Sequence, residues 1–144
     1  MPDIATRLMG IMGKAHSSIY RVTSGRFGGR AFGAPVLLLN TTGRKTGQQR
    51  TSPLLYLRDG DDYVIVASKG GTPTHPAWYL NLKAMPETTV EVGGREVLVR
   101  AETADPEERA RLWPKLIEMY PSYESYQKKT DREIPVVKLH PIER

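Results

Sequence analysis

The chain lacks several residues on which common protein chemistries depend. It contains no cysteine, which excludes disulfide bonds, thiolate nucleophiles and cysteine-ligated zinc. Its three histidines, His16, His75 and His140, are far apart in the sequence, so we expect no metal site. No apolar run reaches the roughly 18 residues of a membrane span, and no signal-peptide pattern opens the chain. We therefore expect a cytoplasmic protein.

Acidic residues are also in deficit. The sequence has 21 lysines and arginines against 16 acids, and this balance favours an anionic partner. The stretch TTGRKTGQQR, residues 41–50, contains Arg44, Lys45 and Arg50 and no acid. Arginine forks and lysine ammonium groups suit phosphate and carboxylate, although a solvated hairpin tip is an equally good interpretation of the loop alone. A nucleotide-binding P-loop is excluded, because arginine precedes Lys45 where that motif needs glycine.

Hydrophobic periodicity predicts an α+β domain. Alternating or apolar runs bounded by turn signals predict strands over residues 36–41, 50–58, 63–68, 88–92, 95–103 and 134–140, and helices over 74–86 and from Asp105 onwards. The short links between the first three strands favour antiparallel pairing. Closing such a sheet removes its exposed edges, so we expect a small antiparallel barrel of about six strands with flanking helices, over residues 33–144.

The N-terminal region, residues 1–32, differs from the rest. Ile4, Leu8, Ile11 and Ile19 recur at helical spacing, which predicts an amphipathic helix followed by a glycine-rich linker. Residues 1–30 carry five cations and one acid. This segment is suited to peripheral contact with the anionic inner face of the cell membrane. Packing on the barrel or against the partner of a homodimer is the alternative.

Two further stretches contribute candidate site residues. Ser68 and Lys69 end the third predicted strand, at the sheet end where we expect the basic loop, so the sequence predicts one cationic mouth. Tyr120, Tyr123 and Tyr126 recur every three residues and share a face if the segment is helical. They are suited either to core packing or to an aromatic wall beside a ring-shaped ligand. Because no catalytic triad, carboxylate pair or metal motif is present, an enzyme of this sequence needs a cofactor.

Three blocks, residues 33–71, PAWYLNLKAMP and MYPSYESYQKKTDREIPVV, occur in this order. Together they closely resemble the deazaflavin-dependent nitroreductase family, which are coenzyme F420-dependent oxidoreductases of actinobacteria with a split β-barrel fold. The resemblance implies hydride transfer from the reduced cofactor, F420H2, to a quinone or a nitroaromatic acceptor. Leu55 and Ala77 differ from the pattern of the nitroimidazole-reducing members, so the resemblance does not extend to a particular nitro compound.

The resemblance also implies roles for individual residues. The cofactor's phosphate and oligoglutamate tail would contact Arg44, Lys45, Thr46 and Arg50. The ring would lie along Pro53 and Leu54, and beside Ala67, Ser68 and Lys69. Further cofactor contacts would come from Ala77, Trp78, Tyr79, Asn81 and Tyr123. Ser68, Tyr120, Tyr123 and Tyr126 resemble residues of the substrate pocket, with a tyrosine hydroxyl or a bound water as the proton source.

Other functions compete with this interpretation. The basic loop and the tyrosines also suit a module that binds single-stranded nucleic acid, but no RNA-binding motif is present and the cations do not form an extended stripe. We therefore expect no nucleic-acid partner. FMN, heme or a fatty acid can occupy related barrels, because a fold does not fix a function.

Overall fold

The computed structural model describes residues 30–31 and 33–142. Eight strands lie within this part: β1 (Arg30–Ala31), β2 (Ala34–Thr42), β3 (Gln49–Leu55), β4 (Leu57–Asp59), β5 (Asp62–Val66), β6 (Glu87–Val92), β7 (Arg95–Thr103) and β8 (Val136–Pro141). The helices are α1 (Ala77–Ala84), α2 (Pro106–Met119) and α3 (Ser122–Lys128), and a short 3₁₀ turn covers Lys69–Gly71. None of the described helices is long and apolar enough to cross a membrane.

The strands form one antiparallel sheet in the order β1-β2-β6-β7-β8-β5-β4, and β3 pairs with β2. Only Tyr56 separates β3 from β4, so these two elements are halves of one bent strand. This strand pairs with β2 at one end of the sheet and with β5 at the other, which curls the sheet into a barrel. Six long strands result when β3 and β4 are taken together and the two-residue β1 is set aside. The predicted α+β barrel of about six antiparallel strands is confirmed.

The barrel has a core on each face of β5 and β8. Tyr63 and Ile65 of β5 lie in the interior core, together with Leu139 of β8. Val64 and Val66 point to the opposite face, as strand alternation requires, and pack in a second core against α2 and α3. The end of the barrel interior is covered by α1, through Tyr79 and Leu82. The three helices thus flank the barrel in the predicted way.

The start of α2 follows the predicted capping pattern. Asp105 is the N-cap residue, and its side chain accepts a hydrogen bond of 2.8 Å from the backbone N–H of Glu108. Pro106 occupies the first helical position, where its missing N–H costs no hydrogen bond. The cap fixes the point at which the chain leaves β7 and lets α2 cover the outer core.

His140 of β8 bridges two carboxylates on the outside of the barrel. Its Nδ1 lies 2.8 Å from Asp62 Oδ1, and its Nε2 lies 3.1 Å from Glu102 Oε1. Partial burial of the ring opposes its charge, but the hydrogen bonds to the two carboxylates outweigh this and raise the pKa of His140. The imidazolium therefore stabilises the pairing of β8 with its neighbours.

The domain boundary predicted after residue 32 and the helix predicted for the N-terminal region fall almost entirely outside the described residues. Both stay predictions.

Candidate functional site

The basic loop between β2 and β3 is a compact turn. The backbone N–H of Gly43 donates to Gln48 O at 2.8 Å, and the N–H of Gly47 donates to Gly43 O at 2.7 Å. A Cβ at position 43 would lie 2.7 Å from Thr46 Oγ1, so the turn closes tightly because glycine is there. The loop holds a defined shape while its side chains at positions 44–50 are exposed.

Arg44 joins this loop to α1. Its backbone N–H and its Nη1 both donate to Asn81 Oδ1, each at 3.1 Å. Asn81 is buried, so the contact anchors the loop to the end of the barrel. The side chains of Lys45 and Arg50 make no hydrogen bond or ion pair with another residue of the described part. These two cations are therefore available to an anionic ligand.

The strand β3 presents different residues on its two faces. Arg50 is opposite Thr41, and Leu54 is opposite Leu37. Since Leu37 and Leu54 belong to the interior core, Arg50 lies on this same interior face at the open end of the sheet. Pro53 lies on the opposite face. Pro53 and Leu54 were both predicted to follow the ring, but their side chains point to opposite sides of the strand.

The second candidate element is the segment 67–75, which we call the 67–75 turn. Ala67 is buried and its N–H donates to Pro135 O at 3.0 Å. Lys69 has a backbone φ of +45°, in the left-handed region that non-glycine residues rarely adopt. Its Nζ lies 3.4 Å from Thr74 Oγ1. Such local strain persists only where surrounding contacts hold it, and it is frequent at functional sites.

Those surrounding contacts come from Arg132, which the sequence interpretation missed. Its guanidinium donates to the carbonyl oxygens of Ala67 at 3.2 Å, Ser68 at 2.7 Å and Thr72 at 2.8 Å. It also contacts His75 Nδ1 at 3.0 Å. The residue stands in the charged stretch KKTDRE, where no local signal distinguishes it from its neighbours.

The three predicted tyrosines form one cluster. Tyr123 is buried in the outer core, with Tyr120 and Tyr126 packed beside it. The hydroxyls of Tyr120 and Tyr126 are 3.2 Å apart. Burial raises the pKa of Tyr123, and the hydrogen bond with Tyr120, followed by burial, raises that of Tyr126. The phenols of Tyr123 and Tyr126 are therefore protonated at neutral pH and can donate hydrogen bonds, and each is a weaker acid than an ordinary tyrosine.

The 67–75 turn lies against this cluster. A Cβ on Gly71 would come within 2.5 Å of the carbonyl oxygen of Tyr126 and 2.9 Å of its Cα. The backbone of the turn therefore touches α3 at the residue that carries one of the candidate hydroxyls. The 3₁₀ turn that begins at Lys69 is thus in contact with α3, and a site shared by Ser68, Lys69 and the tyrosines stays a prediction.

The α1 candidates are divided between packing and exposure. Tyr79 is in the interior core, and its hydroxyl lies 3.0 Å from Thr103 Oγ1. Trp78 is half-buried and Ala77 is exposed. Asn81 is occupied by Arg44. The cofactor contacts implied for these four residues stay predictions.

Lys69 and the three cations of the basic loop lie on separate elements, the 67–75 turn and the β2–β3 connection. The two elements are connected through α1, which binds the loop at Asn81 and follows the 67–75 turn directly in the chain. The single cationic mouth therefore stays a prediction.

A cavity of about 160 Å³ lies between α1 and the sheet, lined by Tyr79, Leu82, Lys83, Pro86, Ala101, Thr103 and Val137. It is smaller than the roughly 300 Å³ of a typical cofactor pocket, and of the candidate residues only Tyr79 lines it. In the part of the chain described, no three His, Asp or Glu residues are grouped to hold a metal ion.

The exposed groups fit a ligand with an anionic tail. Lys45 and Arg50 lack acidic partners among the described residues, Arg44 is exposed beside them, and cations in this state attract phosphate and carboxylate. The half-buried β3 offers apolar surface next to these charges.

Comparison with known proteins gives consistent matches. Residues 12–141 match the family model described as F420H(2)-dependent quinone reductase. The chain is 51% identical over 130 residues to the F420H(2)-dependent quinone reductase Rv1261c of Mycobacterium tuberculosis, covering 88% of this chain and 87% of that protein.

Solved structures agree. An F420-H2 dependent reductase, FDR-A, superimposes with a TM-score of 0.68 at 43% identity, covering 74% of this chain and 94% of the other. A structure described as a domain-swapped dimer gives a TM-score of 0.69 at 37% identity, with 88% and 96% coverage.

Proposed function

This chain belongs to the F420H(2)-dependent quinone reductase family, and we propose that it passes two electrons from reduced coenzyme F420 to a quinone. Members of the family are oxidoreductases that use the reduced deazaflavin, so the cofactor and the reaction class follow from membership. The quinone is the acceptor that the relatives' names give, and it is the proposed acceptor of this chain. Electron-poor nitroaromatic compounds are the second acceptor class to test.

The observation that carries the proposal is the pair of cations Lys45 and Arg50, whose side chains have no partner among the described residues, in an anchored loop. The tie from Arg44 to Asn81 fixes the position of the loop. Lys45 and Arg50 can then meet phosphate and carboxylate groups without first breaking an ion pair. We assign the cofactor's anionic tail to this loop. The charges of Lys45 and Arg50 should therefore affect the affinity for the cofactor more than the rate of the chemical step.

The reacting ring is assigned to the 67–75 turn and the interior face of β3. When bound, the reduced deazaflavin supplies a hydride, and reduction of a quinone to a hydroquinone also requires a proton. The protonated phenol of Tyr126, held by Tyr120 at 3.2 Å, is suited to donate it, directly or through a water. Ser68 lies in the turn that faces this cluster. The chain's contribution is to orient two rings and place one donor.

Titration of F420 fluorescence tests the tail assignment. Replacing both Lys45 and Arg50 by alanine should weaken binding by about 5- to 30-fold, because each exposed charge contact contributes up to about 1 kcal/mol. The rate of menadione reduction at saturating cofactor should be nearly unchanged. Arg95→Ala is the matched control. It removes an exposed cation beside the β6–β7 hairpin, whereas the basic loop lies at the other end of β2.

The proposal is wrong if the wild-type protein does not bind F420 at concentrations of about 10–50 μM, which lie well above the Kd expected of a functional cofactor site. FMN and FAD titrated in parallel separate an F420 enzyme from another ligand-binding barrel. Tight binding of FMN without F420 binding would favour that alternative.

Two partner assignments are also proposals. We infer that the chain forms a homodimer, since a relative of 37% identity is described as a domain-swapped dimer; light scattering measures its mass. We also propose that residues 1–30, with a net charge of +4, contact anionic membrane. Flotation with vesicles containing anionic lipid, comparing wild type with Arg7→Glu plus Lys14→Glu, tests this; equal flotation contradicts it.

A further inference from the structure

Within the part of the chain that the structure describes, the guanidinium of Arg132 makes four contacts, all with one short segment. It donates Nε to Thr72 O, Nη1 to Ala67 O, and Nη2 to Ser68 O, at 2.8, 3.2 and 2.7 Å. Nη1 also lies 3.0 Å from His75 Nδ1. A lysine cannot reproduce this arrangement, because its single ammonium lacks the planar fork of donors. The two ends of the 67–75 turn are thus held by one side chain.

The backbone of Arg132 is itself fixed to α3. Gln127 of α3 donates from Nε2 to Arg132 O at 2.8 Å. The same side chain accepts at Oε1 from the N–H of Ile134, and from Arg109 Nη2, both at 2.9 Å. Because its amide is satisfied from both sides, Gln127 holds the segment after α3 in one position. The side chain of Arg132 therefore reaches the 67–75 turn from a backbone position that is fixed to α3.

The contact with His75 extends the connection towards α1. Burial, then the charges of Arg132 and Lys83, lower the pKa of His75. The ring is accordingly neutral at neutral pH, and Nδ1 can accept the Arg132 hydrogen bond. The His75 ring packs edge-on against Tyr79 of α1, with the centroids 5.0 Å apart. The helix that anchors the basic loop, α1, is thus linked to Arg132 through the ring of His75.

We propose that Arg132 is a positioning residue that fixes the 67–75 turn against α3 and thereby sets the separation of the cofactor ring from the proton-donating tyrosines. The catalytic part of this proposal rests on the proposed function. The structural part, that Arg132 fixes the turn against α3, does not. The residue itself touches neither the assigned ring position nor the acceptor. It acts through its hydrogen bonds to the carbonyl groups of Ala67 and Ser68, two residues of the turn to which the cofactor ring is assigned.

The test compares Arg132→Lys and Arg132→Gln with wild type, well below their unfolding temperatures. Both variants should raise the Kd for F420 and slow single-turnover menadione reduction by about 10- to 100-fold, since small misplacements of reacting groups have effects of this size. The Arg132→Lys variant should not retain the wild-type rate, because a lysine keeps the positive charge but lacks the planar set of donors that binds the three carbonyl groups. A rescue by lysine, or a normal rate at saturating F420 in both variants, would overturn the proposal.

Hydrogen exchange, measured without cofactor, tests the link separately. The N–H of Gly71 donates to Ser68 O and that of Thr72 donates to Lys69 O. Exchange at these amides should accelerate in both variants, and unchanged protection would overturn the proposal even if F420 did not bind. Arg111→Gln is the matched control. It removes contacts of Arg111 with Asp59 of β4 and with Glu108 of α2, so it loses comparable bonds and should leave the 67–75 turn protected.

Discussion

Replacement of Gly71 by alanine tests the contact between the 67–75 turn and α3. Gly71 has φ of +80°, and a Cβ there would lie 2.5 Å from Tyr126 O, 2.9 Å from its Cα and 3.0 Å from its carbonyl carbon. The left-handed backbone costs an alanine about 1–2 kcal/mol. Forcing the turn away from an unyielding helix backbone adds about 1–3 kcal/mol. We therefore expect Gly71→Ala to lower the free energy of unfolding by roughly 2–5 kcal/mol in total.

The neighbouring Gly70 supplies the control. Its φ is also positive, +64°, but a Cβ there meets nothing within 4 Å. Gly70→Ala should therefore lose only the backbone contribution of about 1–2 kcal/mol. Thermal unfolding measures both, because each kcal/mol corresponds to about 3 °C for a domain of this size. Equal losses in the two variants would refute the close approach of the turn to α3.

Three further predictions follow from contacts described above. Because the pKa of His140 is raised above 6.5, its stabilising charge is fully present below pH 6.5 and is lost as the pH rises through the raised pKa. Over this rise in pH, the Tm should fall by about 1–2 °C more in wild type than in His140→Gln, a small effect because the His140 side chain is 37% exposed. Equal pH dependence of the Tm in the two proteins would contradict the bridge. Asn81→Leu should free the Arg44 loop and weaken F420 binding by about threefold with little effect on the rate at saturation; unchanged affinity would show that the anchor is unnecessary. Tyr126→Phe should slow quinone reduction by about 10- to 100-fold while cofactor affinity is preserved, and Tyr120→Phe should have a smaller effect; a wild-type rate in Tyr126→Phe would exclude that hydroxyl as donor.

Local signals were sufficient for most of the secondary structure. The β6–β7 hairpin begins and ends within a residue of its prediction, because alternation and a Gly-Gly turn act over a few residues. The α2 cap followed from Asp105 and Pro106 for the same reason. The break at Tyr56 was not predicted, since residues 50–58 read as one strand and the bend depends on pairing β3 and β4 with different partners.

The candidate site was recoverable where its residues cluster along the chain. The basic loop and the tyrosine block are contiguous in sequence, and composition alone identified them. Arg132 was not recoverable, because its partners lie about 60 residues earlier, at separations of 57 to 65 positions. Likewise, residues 53 and 54 are neighbours in sequence, yet strand alternation sends them to opposite faces.

The proline in β3 bears on how this protein avoids self-association. Within the described residues β3 pairs with β2 alone, and the N–H of Tyr56 donates to Pro35 O. Residues 50, 52, 54 and 56 therefore direct their N–H groups to β2, and Pro53 faces the free edge. An open strand edge is a template for another chain, but proline has no N–H to offer it. Pro53 thus lets this edge stay uncovered while interrupting the continuous ladder of hydrogen bonds on which edge-to-edge aggregation depends.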